Sequence, residues 1–273
     1  MKHERYAVFG NPVSHSLSPR IHAAFAAQTD QDLTYDAWLA PLDGFAAAVR
    51  RFAAEGGRGA NVTVPFKEEA FRLCDMLTPR ARDAGAVNTL SLEDGLIQGD
   101  NTDGVGLVHD LEHNLGWPLA GKRILIIGAG GAARGILPPI LGQGPARLVL
   151  TNRTSAKAEA LVDEFAQTPN SPLAAFPLEQ LGEAFDIIIN ATSASLSHLP
   201  LPLSDQVFAP DSLAYDIMYG RHTPFLEQAQ KAGASVTSDG LGMLVEQAAE
   251  AFYVWRGLRP LTRPVLDMLR AAY

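Results

Sequence analysis

The chain is 273 residues long, with 47% hydrophobic and 19% charged residues, enough for two globular domains and too apolar for a disordered segment. A formal net charge of −8 argues against nucleic acid or an anionic membrane surface as the main partner, because both select a basic patch. No run of about 18 apolar residues suggests a membrane span, no apolar leader core is visible, and the single Cys74 cannot pair within the chain, so a reducing cytoplasm is expected.

The first zone, residues 1–104, opens with a strand at 6–10 (YAVFG) and a Pro- and Ser-rich turn, and a helix then starts near Pro19. LTYDAWLA reads as a second strand, and DGFAAAVRRFAAEG as a helix closed by glycine. GANVTV (59–64) is a third strand, and FKEEAFRLCDML is expected to be one helix with Cys74 as a small apolar packer inside it. AVNTLSL and GLIQGD, separated by Glu93 and Asp94, predict a hairpin. Strands alternating with helices imply a mainly parallel sheet with helices packed on it.

The second zone, residues 105–238, carries continuous apolar runs at RILIIG (123–128), RLVLTN (147–152), FDIIIN (185–190) and LAYDIM (213–218). Such runs suit parallel strands buried on both faces. With GAARGILPPILGQ and SAKAEALVDEFAQ as intervening helices, the layout is that of a doubly wound nucleotide-binding sheet, and TPNSPLAAFPLEQ reads as a loop with a short strand. After Gly240, LGMLVEQAAEAFYVWRG puts Leu241, Leu244, Val245, Ala248, Phe252 and Trp255 on one helical face, a packing stripe, and RPVLDMLRAA is a last helix. The expected fold is α/β with two domains. One is an N-terminal α/β domain of residues 1–104, completed by returning C-terminal helices of 239–273; the other is a Rossmann domain of 105–238.

Gly128-Ala129-Gly130-Gly131-Ala132-Ala133 directly follows an apolar strand and opens a helix, the G-x-G-x-x-A form of a dinucleotide fingerprint. Gly128 permits the turn, Gly130 lets backbone approach a pyrophosphate, and Ala133 keeps helix and strand close. At the end of the next strand an NAD site would place a carboxylate for the ribose 2′-hydroxyl; here stand Asn152, Arg153 and Thr154, with Lys157 one turn later. Cations at a helix start are opposed by the helix dipole unless an anion is bound, and a guanidinium suits a 2′-phosphate, so the expected cofactor is NADP(H).

In the first zone polar residues gather at strand ends. Ser18 alone is explained as a helix cap, but Ser16 beside it is not, and two hydroxyls with helix N–H groups suit a carboxylate. Thr63 and Lys67 flank Pro65, while Asn88 and Asp103 sit at later strand ends. A lysine held by an aspartate is a candidate proton-transfer pair for a carbinol oxygen. His109 and His113, four apart, lack a third ligand and are read as a solvated helical face, so no metal is expected. His15 has no nucleophile-elbow context that would make it part of a hydrolase.

FGNPVSHSLSP, GANVTVPFKEEA, AGAVNTL, GDNTDG, GAGGAARG with NRT, YDIMYGRHTPFL and DGLGMLVEQAA occur in order across residues 9–250. Together they resemble the shikimate dehydrogenase family. The resemblance implies NADPH-dependent, reversible reduction of 3-dehydroshikimate to shikimate on the route to chorismate and the aromatic amino acids, in a cleft between a substrate domain and a Rossmann domain. It implies that Ser16 and Ser18 hold the substrate carboxylate, and that Thr63, Lys67, Asn88, Asp103 and Gln247 bind the ring hydroxyls and the reacting oxygen. Lys67 and Asp103 match the family's catalytic pair. Tyr219 matches a tyrosine near the substrate, and Met218, Gly240 and Met243 border the nicotinamide. Gly128 to Ala132, Asn152, Arg153, Thr154 and Lys157 fall on the cofactor side. A monomer or homodimer is expected. One stretch departs from the family: after Asn190-Ala191-Thr192, the run Ser193-Ala194-Ser195-Leu196-Ser197-His198 lacks the family's glycines, so an altered approach to NADP is expected there. The rival readings are a quinate/shikimate dehydrogenase with relaxed substrate choice or NAD use, a methylenetetrahydrofolate dehydrogenase, and a catalytically silent NADPH-binding regulator.

Overall fold

The computed structural model describes residues 3–166, 171–192, 200–220 and 223–272. It divides the chain into two compact units, one formed by Met1–Gly106 with Leu244–Tyr273 and the other by Leu107–Met243.

The first unit contains β1 (Glu4–Gly10), α1 (Ser18–Thr29), β2 (Leu33–Leu39), α2 (Phe45–Ala54), β3 (Gly57–Val62), α3 (Lys67–Leu73), β4 (Met76–Leu77), α4 (Pro79–Ala84), β5 (Thr89–Glu93) and β6 (Leu96–Asp100). Its six-stranded sheet runs β2-β1-β3-β5-β6-β4. The β2-β1-β3 part is parallel, whereas β5 and β6 run antiparallel as the predicted hairpin. The expected mainly parallel sheet is therefore a mixed one, because the tight Glu93–Leu96 turn returns the chain beside itself. Its apolar centre gathers Phe9, Phe45, Phe52, Phe66, Val62 and Leu90, all buried.

FKEEAFRLCDML does not form one helix. The backbone turns extended at Cys74, and Met76–Leu77 pair with Gln98–Gly99 as an edge strand. Sheet pairing overrides the helical period: Asp75 Oδ2 accepts Ile97 N–H at 2.8 Å, and the absence of a side chain at Gly99 leaves room for Cys74 Sγ. Cys74 keeps its packing role, with Sγ 3.0 Å from the Ala70 carbonyl and burial pushing the thiol up to about 12.

The second unit starts within α5 (Asp103–His109), which runs into a wider π-helical turn at Asp110–Asn114. Then follow β7 (Arg123–Ile127), α6 (Gly131–Gly142), β8 (Arg147–Thr151), α7 (Ser155–Phe165), β9 (Leu173–Ala175), β10 (Phe185–Asn190), β11 (Phe208–Asp216), α8 (Pro224–Ala232) and β12 (Val236–Asp239). All six strands are parallel in the order β12-β11-β10-β7-β8-β9. That is the doubly wound order, with its switch point between β7 and β10. β11 begins five residues before the apolar run that predicted it, because Pro210 and Asp211 interrupt the pattern and the register shifts against β10. The chain ends in α9 (Leu241–Arg256) and α10 (Thr262–Arg270), and the first unit takes in Leu244–Tyr273. Leu241, Val245, Ala248 and Phe252 are buried, as a packing stripe requires, and Trp255 Nε1 donates to the Leu90 carbonyl at 3.0 Å. Among the described residues no helix is long and apolar enough to cross a membrane.

Candidate active site

Lys67 opens α3, and Asp103, the partner expected for it, stands 36 residues further along the chain: Nζ lies 2.5 Å from Asp103 Oδ2. The pair is mostly buried, with side-chain exposures of 18% and 7%. Buried ion pairs add little net stability after desolvation, so their presence calls for another reason. Asp103 Oδ1 accepts from Asn88 Nδ2 at 2.9 Å, so both carboxylate oxygens act as acceptors. Only one of the ammonium's three N–H donors is needed for Asp103.

The Asn88 amide has one possible orientation. Its Oδ1 faces the Thr102 backbone N–H at 2.8 Å, which can only donate, and also accepts from the Thr89 hydroxyl at 2.9 Å. Nδ2 is thereby turned to Asp103 and to Gln247 Oε1 at 3.2 Å. Gln247 comes from α9, which approaches α5 closely because Gly106 has no side chain; a Cβ there would lie 2.6 Å from Gln247 N. Four of the sequence-nominated residues, from four separate chain segments, thus form one hydrogen-bonded group.

The serine pair lies at the start of α1. Ser16 Oγ accepts the Ser18 N–H at 3.3 Å; the capping position itself is Leu17, and Ser18 is the first helical residue, so the cap explanation does not apply to it. Ser18 is buried, and hydrogen bonding links it to Tyr35, whose hydroxyl is raised well above its usual value by burial. Tyr35 Oη donates to Asn61 Oδ1 at 2.7 Å, and Asn61 Nδ2 donates to the Asn88 carbonyl at 3.1 Å. Thr63 follows β3, half-buried, with its Cγ2 filling the space a side chain at Gly10 would need. Asn61, Thr89 and Thr102 were not nominated from sequence, although they stand in GANVTV, AGAVNTL and GDNTDG. Their place one or two residues from Thr63, Asn88 and Asp103 at strand ends was the available signal.

In the second unit the glycine motif occupies the β7–α6 turn at the switch point. Gly128 has φ +119°, and a Cβ on it would meet the Ala191 carbonyl at 2.9 Å, so only glycine fits. At Gly130 and Gly131 the Cβ directions point into open space, with nothing within 4 Å. Ala133 is fully buried against the strand. Asn152 follows β8 and donates from Nδ2 to the Thr154 carbonyl at 3.0 Å, while Arg153 and Lys157 are exposed at the start of α7. An open backbone cradle next to two outward cations fits a dinucleotide carrying an extra phosphate. Met218 and Gly240 meet through the Gly240 N–H and the Met218 carbonyl at 2.9 Å, with half-buried Tyr219 following Met218. Gly240 packs on Ile217 so closely that a Cβ would sit 2.2 Å from its carbonyl oxygen. Met243 N–H donates to Tyr215 Oη at 3.2 Å, and Tyr215 donates to buried Asp110 at 2.7 Å. The run 193–198, where a departure was expected, lies outside the described residues. His109 and His113 stack at 4.3 Å, and among the described residues no cluster of three or more His, Cys, Asp or Glu could hold a metal.

With this geometry in place, three family models match the chain. They are the shikimate dehydrogenase substrate binding domain over residues 8–90, shikimate/quinate 5-dehydrogenase over 111–202, and the shikimate 5′-dehydrogenase C-terminal domain over 240–270. The chain belongs to the shikimate dehydrogenase family. The shikimate dehydrogenase (NADP(+)) of Dechloromonas aromatica is 59% identical over 97% of each chain, and that of Methylobacillus flagellatus 58% identical over 98% of this chain and all of its own. The crystal structure of Thermus thermophilus shikimate 5-dehydrogenase in complex with NADP(H) and shikimate is 35% identical, with a TM-score of 0.88 over 99% of this chain and all of that one. Within the family frame, Ser16, Ser18, Thr63, Lys67 and Asn88 fall in the first matched stretch and Gln247 in the last, whereas Asp103 lies between matched stretches. Its place beside Lys67 comes from the geometry.

Proposed function

We propose that the protein is an NADP-dependent shikimate dehydrogenase, reducing 3-dehydroshikimate reversibly to shikimate. The observation that carries this is the Lys67–Asp103 pair with Asn88 and Gln247 around it, in a chain whose close relatives bear that name. Gly128 to Ala132 would hold the pyrophosphate, Asn152, Arg153, Thr154 and Lys157 the 2′-phosphate, and Met218, Gly240 and Met243 would border the nicotinamide. When bound, the nicotinamide supplies or accepts the hydride. The protein's own part is electrostatic and acid–base. Ser16 and Ser18 bind the substrate carboxylate, and Thr63, Asn88, Gln247 and Tyr219 bind the ring hydroxyls and orient the ring. Lys67 Nζ stabilises the developing alkoxide at C3 and gives it a proton, and it takes the proton back in the oxidative direction. Asp103 holds the ammonium in place through Oδ2 while Asn88 fixes Oδ1. We assign the enzyme to the reducing cytoplasm, acting on small molecules, as a monomer or homodimer.

The test is the absorbance of reduced nicotinamide with shikimate, using NADP and NAD in turn, and then with quinate. Shikimate with NADP should be the fastest combination. Quinate or NAD in the lead would replace the assignment with the relaxed one, and no reduction with any pair would overturn it.

A further inference from the structure

Arg80, the second residue of α4, belongs to no motif singled out above, yet its guanidinium joins two of the segments that build the site. Its Nε and Nη2 donate to both oxygens of Asp100, each at 2.6 Å, and Nη1 donates to Glu250 Oε1 at 2.8 Å. Asp100 is buried, and its carboxyl is held below its ordinary value because these bonds outweigh desolvation. On one side the connection continues to Asp103. Asp100 Oδ1 also accepts the Asn101 N–H at 2.7 Å and the Thr78 hydroxyl at 2.6 Å. Asn101 Nδ2 is tied to the Ala86 carbonyl at 2.9 Å, and its Oδ1 accepts the Asp103 N–H at 3.1 Å. On the other side Glu250 stands three residues beyond Gln247, on the same face of α9. Arg259 braces that face, donating to Glu250 Oε2 at 2.5 Å and to buried Glu246 at 3.2 Å.

We propose that Arg80 is a positioning residue for the reaction: by gripping Asp100 and Glu250 at once, it sets where Asp103 and Gln247 stand relative to each other. The inference rests on the roles given to Asp103 and Gln247 under the proposed function. The geometry needs a fork. A guanidinium offers a parallel pair of N–H groups to one carboxylate and a further N–H to another, and an ammonium offers a point charge that cannot hold both arrangements. Displacements well under the length of a bond matter here, since small misplacements of reacting groups cost large factors in rate.

The experiment compares wild type, Arg80→Lys and Glu250→Gln in full-length protein. It measures kcat, the KM for shikimate, the KM for NADP, NADPH affinity by fluorescence, and the melting temperature. Arg80→Lys should lower kcat/KM for shikimate by roughly tenfold to a hundredfold while NADPH affinity stays at the wild-type value. Glu250→Gln, which weakens the contacts of Arg80 and Arg259 to α9 and leaves Asp100 gripped, should raise the shikimate KM several-fold with kcat little changed. A lower melting temperature with unaltered shikimate parameters in either variant would reduce Arg80 to a structural ion pair and overturn the proposal. If Arg80→Lys does not fold, Glu250→Gln decides on the same criterion. The wild type serves as the separate check: its failure to turn over shikimate sinks the proposed function and this inference together, whereas a wild-type-like Arg80→Lys sinks the inference alone.

Discussion

The two units make their candidate sites from different materials. In the first, the site is made of side chains: Lys67, Asn88, Asp103 and Gln247 hold one another by hydrogen bonds, and Thr89, Thr102 and Asn61 hold Asn88 in turn. In the second, it is made of backbone: Gly128 in a left-handed turn, an open cradle at Gly130 and Gly131, and two exposed cations beside it. The contrast follows from what the proposed function asks of each. Proton transfer needs individual groups placed to a fraction of an ångström, which only packed, mutually hydrogen-bonded side chains provide. A pyrophosphate is recognised by N–H groups that every residue but proline carries, so the requirement there is the removal of side chains. Side-chain substitutions should therefore damage turnover in the first unit, and added bulk should damage affinity in the second.

The largest effect is expected at Lys67. Lys67→Ala should lower kcat by roughly a hundredfold to ten-thousandfold with a much smaller change in the shikimate KM, read from initial rates in the oxidative direction. Near-normal turnover would remove the proton-transfer role. In the second unit, Gly130→Val should raise the KM for NADP by about tenfold or more, because bulk would fill the open cradle. Its melting temperature should hold, since a Cβ at Gly130 points into open space with nothing within 4 Å. Unchanged NADP affinity would break the backbone half of the comparison. Arg153→Ala should act more narrowly, cutting the preference for NADP over NAD by roughly tenfold, consistent with the loss of about 1.5–3 kcal/mol of charged hydrogen bonding partly compensated by Lys157. Equal loss with both cofactors would deny Arg153 the 2′-phosphate.

A further expected effect concerns stability. His22 is fully buried, stacked on Tyr35 at 4.1 Å, and burial pushes its imidazole down to about 3. It is neutral in the folded chain, whereas an unfolded histidine titrates near pH ~6.5. The stability tied to its neutrality is thus complete above that pH and is lost as pH falls toward 3, by up to ~1.4 kcal/mol per pH unit. His22→Phe keeps the stack and removes the titration, so its melting temperature should fall less steeply between about pH 6 and 4 than that of the wild type. Parallel curves would show that His22 does not contribute to acid sensitivity.

Much of this was legible along the chain. The buried parallel strands at 123–127, 147–151 and 185–190 announced themselves as continuous apolar runs, and the hairpin at 89–100 by its turn, because these signals are local. The glycine turn was equally plain, since a left-handed φ and a close approach both exclude side chains at one position. Three things were not legible. Cys74 to Leu77 carry a helical period but join a sheet edge, a choice made by the partner strand. β11 starts across Pro210, where local composition argues against a strand and neighbouring β10 argues for it.

The third is the internal bonding of the site. Sequence alone determined which residue types were present at strand ends, the absence of a carboxylate after β8 and the resemblance to a family. Tertiary structure alone decided that Lys67 meets Asp103 through Oδ2 while Asn88 takes Oδ1, that Thr102 and Thr89 turn the Asn88 amide toward Asp103, and that Arg80 ties Asp100 to Glu250. Partners as far apart as Lys67 and Asp103, 36 residues, or Arg80 and Glu250, 170 residues, leave no period or spacing in the chain, because what brings them together is the packing of elements rather than the order of residues.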